Sequence, residues 1–143
     1  MSETDAPDSY RAGIALRNRR QTLEARERNL SMAVLGLMAY SAFSNFVAGA
    51  MFLGASPLDA AIGVILGALY SLGVYRVWIK DDTRWWPVAV PAGISIAILL
   101  LAWLVGAFRP VPLLLNVALL VLVPIRKRAV AAVPDNSVVA SPL

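Results

Sequence analysis

With 143 residues, 59% of them hydrophobic and only 15% charged, the chain is too apolar for a soluble domain of its size, and its mean hydropathy is +0.67. The net charge is +4, and there is neither cysteine nor histidine. Those two absences exclude disulfides, thiolate nucleophiles and thiolate metal sites, and they remove the usual haem ligand, the commonest zinc ligand and the commonest general base near neutral pH.

The first residues, MSETDAPDSY, are acidic and polar, and the first apolar run begins only at Met32. This does not read as a cleaved signal peptide, so the whole chain is taken as mature protein. Residues 1–30 form a polar, basic arm expected to be helical from about residue 8. Leu16, Leu23 and Leu30 recur every seven residues, while Arg20, Glu24 and Arg28 fall four apart, a spacing at which side chains meet on a helix surface. One leucine per heptad is too little for a coiled-coil seam. Such an arm either lies on anionic lipid, docks on a partner, or stands solvated and helps to fix topology. Nucleic acid is not an expected partner, because acids are interleaved with the arginines and no recognition fold accompanies them.

Four apolar segments follow, at 32–53, 60–79, 87–108 and 111–125. The first three have the roughly 20 residues that a helix rising 1.5 Å per residue needs to cross a ~30 Å hydrocarbon layer. The fourth is shorter; it spans if Arg126, Lys127 and Arg128 snorkel toward headgroups or if the helix continues through 129–133. No segment has the polar face of a soluble bundle helix. The expected fold is an all-α membrane protein. Its four-helix transmembrane domain over 31–128 forms two antiparallel hairpins, preceded by the basic helical arm and followed by a tail over 129–143.

In the first span Ser41, Asn45 and Gly49 are four apart, with Ser44 alongside. An amide in hydrocarbon needs hydrogen-bond partners, and Asn45 is expected to find serine or backbone carbonyl groups across a helix interface. The alternative is that Ser41, Ser44 and Asn45, with Tyr40, form a polar path for a solute. In the second span Asp59, Gly63, Gly67 and Ser71 are also four apart, a ridge of small residues that lets another helix approach closely. The first span, with Gly49, is one candidate partner for that ridge. A second protomer or a larger membrane complex docking on the Gly63/Gly67 face is the other. Asp59 is expected to be the N-cap of the second helix.

Between the second and third spans lies YRVWIKDDTRWWP. Trp78, Trp85 and Trp86 suit the headgroup layer, Arg76, Lys80 and Arg84 suit the cytoplasmic side, and Pro87 suits a helix start. Twelve of the thirteen Lys and Arg fall in the arm, in this loop or after the fourth span, and only Arg109 falls on the alternate side. That asymmetry predicts both termini in the cytoplasm. Eleven Arg against two Lys points by association to a prokaryotic plasma membrane.

Catalysis is not expected. The adjacent acids Asp81 and Asp82 have no third carboxylate nearby to help hold a metal, and Lys80 is the sole candidate base. No cofactor is implied. Mid-span positions carry no Asp, Glu, Lys, Arg or His, which disfavours proton-coupled transport. Two functions remain: a non-catalytic accessory or assembly component acting through helix packing, or a small-solute or ion transporter or channel using the polar face of the first span. A reporter fused at Thr83 is expected on the cytoplasmic side, and replacing Arg76, Lys80 and Arg84 together with glutamine is expected to raise the inverted fraction, read by side-specific labelling.

Overall fold

The computed structural model describes residues 8–80, 82–106 and 109–133. Among these the chain is wholly helical: α1 (Asp8–Phe52), α2 (Pro57–Trp78), α3 (Trp86–Leu104) and α4 (Pro110–Ala132). Three of them, α1 to α3, are long and apolar enough to cross a membrane. Phe108, Asp81 and the tail beyond residue 133 lie outside the described residues.

Arm and first span are one helix of 45 residues, about 67 Å long at 1.5 Å per residue. Nothing in the sequence interrupts it, since neither proline nor an adjacent pair of glycines falls between Asp8 and Phe52. On the surface of the arm Arg20 Nε meets Glu24 Oε1 at 2.7 Å, with both side chains about two-fifths exposed or more. That pair contributes about 0.3–0.5 kcal/mol.

The second helix begins one turn before the apolar segment, and its cap is Ser56 rather than Asp59. Ser56 Oγ accepts the Asp59 N–H at 3.4 Å and Pro57 takes the first helical position, where its missing N–H has no use. Asp59 is therefore a first-turn carboxylate favoured by the helix dipole. The third helix ends at Leu104, short of the expected 108, where Gly106 takes a left-handed φ of 85° that continues no helix. The fourth runs on through Arg126, Lys127 and Arg128 to Ala132.

Each helix packs on two others: α1 on α2 and α4, α3 on α2 and α4. The α1–α2 contact is made by small residues. A Cβ on Gly63 would lie 2.7 Å from the Cα of Gly49 and 2.8 Å from the Asn45 carbonyl oxygen, so only glycine fits. Further along, the Phe46 ring lies over Gly67, and Met38 and the Pro87 carbonyl crowd Gly73. Pro91 has no N–H to offer that carbonyl, which instead faces the α2 backbone. Ser71 does not join the contact; it is exposed, and Tyr70 and Gly73 are buried in its place. The reason is angular: steps of four residues drift about 40° each around a helix, whereas alternating steps of three and four hold one face. The buried α2 residues Gly63, Leu66, Gly67, Tyr70, Gly73 and Val77 follow the alternating rule.

Toward the α2–α3 loop the interior is filled by Val34, Met38, Ala42, Tyr70, Val77, Val88, Ala92 and Leu119. Outside, large apolar side chains such as Phe43, Met51, Ile65 and Trp103 are exposed along the three candidate spans, as lipid contact requires. Gly63→Ala is expected to destabilise the detergent-solubilised protein by about 1–3 kcal/mol through overpacking. Gly93→Ala, where nothing lies within 4 Å, is expected to be neutral or stabilising. Reversible unfolding in mixed micelles reads both.

Candidate functional site

The end of the bundle that carries the α1–α2 and α3–α4 connections is not filled. A cavity of about 470 Å³ opens there, with walls from all four helices. Asp59 and Arg109, both exposed, stand at its mouth, and Arg109 also sits over the Phe52 ring, 6.0 Å from its centroid. From Phe52 back to Ser41 is eleven residues, about 16 Å, so the cavity reaches roughly halfway across a ~30 Å layer and stops at the packed core.

Its polar lining comes from three helices. On α1, Ser41, Ser44 and Asn45 all border the cavity. The Asn45 amide donates to the Ser41 carbonyl one turn back, at 2.7 Å, so its partner is its own helix and not, as expected, a neighbouring one. Among the described residues no protein hydrogen bond is made to Asn45 Oδ1 or to the side-chain hydroxyls of Ser41 and Ser44. None of these atoms is sealed from access without a partner, so they are available to whatever fills the space.

On α3 and α4 the lining is built differently. Asn116 is 4% exposed and fully engaged: its Oδ1 accepts the Tyr70 hydroxyl, and its Nδ2 donates to Ser95 Oγ at 3.0 Å and to the Pro112 carbonyl at 2.8 Å. One amide thus ties α2, α3 and α4 together at the cavity floor. Neither Asn116, Ser95 nor Tyr70 stands out as a site in the sequence; the available signal is that Asn116 is the lone amide in the fourth span. Between the polar groups the walls are apolar, with Ile62, Leu66, Ile98 and Leu115. A concave, mainly apolar space of this volume with a few convergent polar groups has the form of a small-molecule site.

The other expected residues lie elsewhere. Gly49, Gly63 and Gly67 are buried between α1 and α2, and Gly63 alone of them borders the cavity. At the opposite end of the bundle, Trp78 and Trp85 are exposed, the Arg76 guanidinium sits over Trp86 at 5.2 Å, and Lys80 lies 6.0 Å from the Tyr75 ring. Asp82 turns back on its own loop, accepting the Arg84 N–H at 2.9 Å. Among the described residues no three of Asp, Glu, His and Cys converge as metal ligands would.

Comparison with protein-family models, with curated proteins and with solved structures finds no match for this chain. Asn116→Leu is expected to cost about 1–3 kcal/mol, because it strands the buried Tyr70 hydroxyl and removes three bonds. Tyr70→Phe is expected to cost only about 0.6 kcal/mol, since Asn116 keeps its other partners. Unfolding of the two single variants in micelles measures the difference.

Proposed function

We propose that this chain is an integral protein of a prokaryotic plasma membrane that holds a small neutral solute in the cavity between its helices, as a carrier, a channel or the binding subunit of a larger assembly. It crosses four times as two antiparallel hairpins, with the basic arm and both termini in the cytoplasm. The hairpin reading is supported by the order of α1–α2 contacts, in which Gly49, Phe46 and Met38 meet Gly63, Gly67 and Gly73 in turn. The length of α4, 23 residues, supports a fourth crossing. Cation asymmetry supports the direction, which puts the cavity mouth on the outside.

The observation that carries the solute reading is the trio Ser41, Ser44 and Asn45, which present hydrogen-bonding atoms without protein partners to a cavity with apolar walls. Polar atoms at mid-membrane depth are costly unless something satisfies them. Hydroxyl and amide groups with no charge among them select a neutral molecule, and the opposed Asp59 and Arg109 at the mouth favour neither sign of ion. The chain acts without catalysis in this reading, since the lining offers no base beside a nucleophile.

Assembly through the Gly63/Gly67 face is the second reading. The close fit of Gly63 on Gly49 speaks for packing, but it is α1 of the same chain that occupies the face. A further protomer or partner would then dock on another surface, and the assembly role would rest on the lipid-facing helices or the arm.

Because the chain has no cysteine, single cysteines report cleanly. Ser44→Cys and Asn45→Cys are expected to react with a membrane-impermeant thiol reagent added from the outside of intact cells, and Ala42→Cys, buried in the core, is expected to stay unlabelled. If Asp59→Cys labels while positions 44 and 45 do not, no aqueous solute reaches the site and the proposal fails.

A further inference from the structure

A second site stands at the other end of the bundle, and it owes nothing to the cavity. Three cations end the fourth span, yet they are not alike: Lys127 and Arg128 are exposed, whereas Arg126 is only 6% exposed. A guanidinium taken out of water is costly unless an anion or a full set of acceptors meets its five N–H groups. Among the described residues Arg126 meets neither. Its Nε donates to Ser31 Oγ at 3.0 Å, and Ser31 in turn donates to Glu27 Oε1 at 3.0 Å, so the nearest engaged carboxylate is one hydroxyl away. Among the described residues no carboxylate forms an ion pair with Arg126, and its terminal nitrogens make no protein hydrogen bond.

Those terminal nitrogens are not sealed in the interior, because no buried side-chain nitrogen lacks a partner. Arg126 borders a notch of about 10 Å³ that is also lined by Arg84, Trp85 and Lys127. Among the described residues the lining contains three cations and no acid. Asp82, the described acid of the loop, is engaged by the Arg84 backbone N–H. A space this small admits one oxygen atom and no more. Trp85, 59% exposed beside it, marks the headgroup layer.

We propose that Arg84, Arg126 and Lys127 form a binding site for a phosphate group, with one phosphate oxygen seated in the notch on the buried guanidinium and the two exposed cations closing on the others. Arginine suits the role because its planar fork presents paired donors to phosphate oxygens. At headgroup level the natural carrier is the phosphodiester of an anionic lipid in the leaflet that the α2–α3 loop faces, where basic pockets between spans take such headgroups. Bound there, the lipid supplies a counter-charge that no described residue gives Arg126 and joins α4 to the α2–α3 loop.

The test is native mass spectrometry of the full chain in detergent, after incubation with equal amounts of phosphatidylglycerol and phosphatidylcholine. Preferential retention of one phosphatidylglycerol is expected, and each cation removed is expected to lower that preference about fivefold. Arg84→Gln with Lys127→Gln is the informative variant, because it leaves the Arg126–Ser31 bond and hence the fold intact. Inorganic phosphate, added at ionic strength matched with chloride, separates the carriers: displacement of the lipid by phosphate assigns a free anion, and lipid retention unaffected by phosphate assigns the headgroup. Equal retention of the two lipids with no thermal shift from phosphate overturns the site, as does a phosphatidylglycerol preference that the double variant leaves unchanged.

Discussion

The close approach of α1 to α2 at Gly49 and Gly63 sets the form of everything around it. Between helices in lipid there is no hydrophobic drive, so association depends on dispersion contacts and hydrogen bonds that lipid cannot replace. Two facing glycines let the backbones meet, which gains contact area along the whole pair. The same substitution of small for large has a second effect. Ser41, Ser44, Ala48 and Gly63 fill little space on the side that faces α3 and α4, while Met38, Tyr70, Val88 and Leu119 fill the opposite half to close packing. The helices cannot collapse onto the small residues without breaking the packed half, and the cavity is what remains.

Polar groups in this setting sort into two kinds by how many partners the chain provides. Asn116 has three, drawn from other helices and from its own, and it acts as a fastener. Asn45 has one, from the preceding turn of its own helix, and its carbonyl oxygen is left to the cavity. Both are single amides in apolar spans, and residue type alone does not separate them. What separates them is whether a hydroxyl stands opposite: Ser95 and Tyr70 face Asn116, whereas open space faces Asn45. Arg126 belongs with Asn45, since part of its donor set also looks outward, in its case to the headgroup end.

Much of this was legible in the sequence, and the rest fails for identifiable reasons. Apolar segments near 20 residues long mark the helices, because the bilayer fixes that length. The Gly63 and Gly67 ridge was legible, but Ser71 was not, since an i+4 rule ignores the drift that carries it off the face. The cap at Ser56 was legible in SPLD, a serine before a first-turn proline with an acid three residues on, where Asp59 is the first-turn acid and not the cap. Arg126 was not set apart from Lys127 and Arg128 in the sequence, where all three were expected to snorkel: its burial follows from the rotation of α4, which puts it seven residues after the buried Leu119 on the same face while the other two turn away. The Tyr70–Asn116–Ser95 link was beyond reach, because it joins residues 46 and 21 positions apart and depends on the rotation of each helix about its axis.

A cavity that ends on a packed core can hold a solute but cannot pass it, so transport in this fold requires two helix pairs to move past each other. The bonds that resist such movement are unevenly placed. Tyr70 on α2 and Ser95 on α3 both bond Asn116 on α4, and Ser31 on α1 bonds Arg126, again on α4. The fourth helix is therefore the one that all the others are fastened to by side-chain hydrogen bonds, whereas α1 and α2 hold each other mainly by shape. Shape-fitted pairs shear as a unit, and hydrogen bonds between few atoms break and reform. On the transport reading proposed above, an opening of the closed half along α4 would have to break the bonds of Asn116 at the cavity floor and of Arg126 at the cation-lined notch.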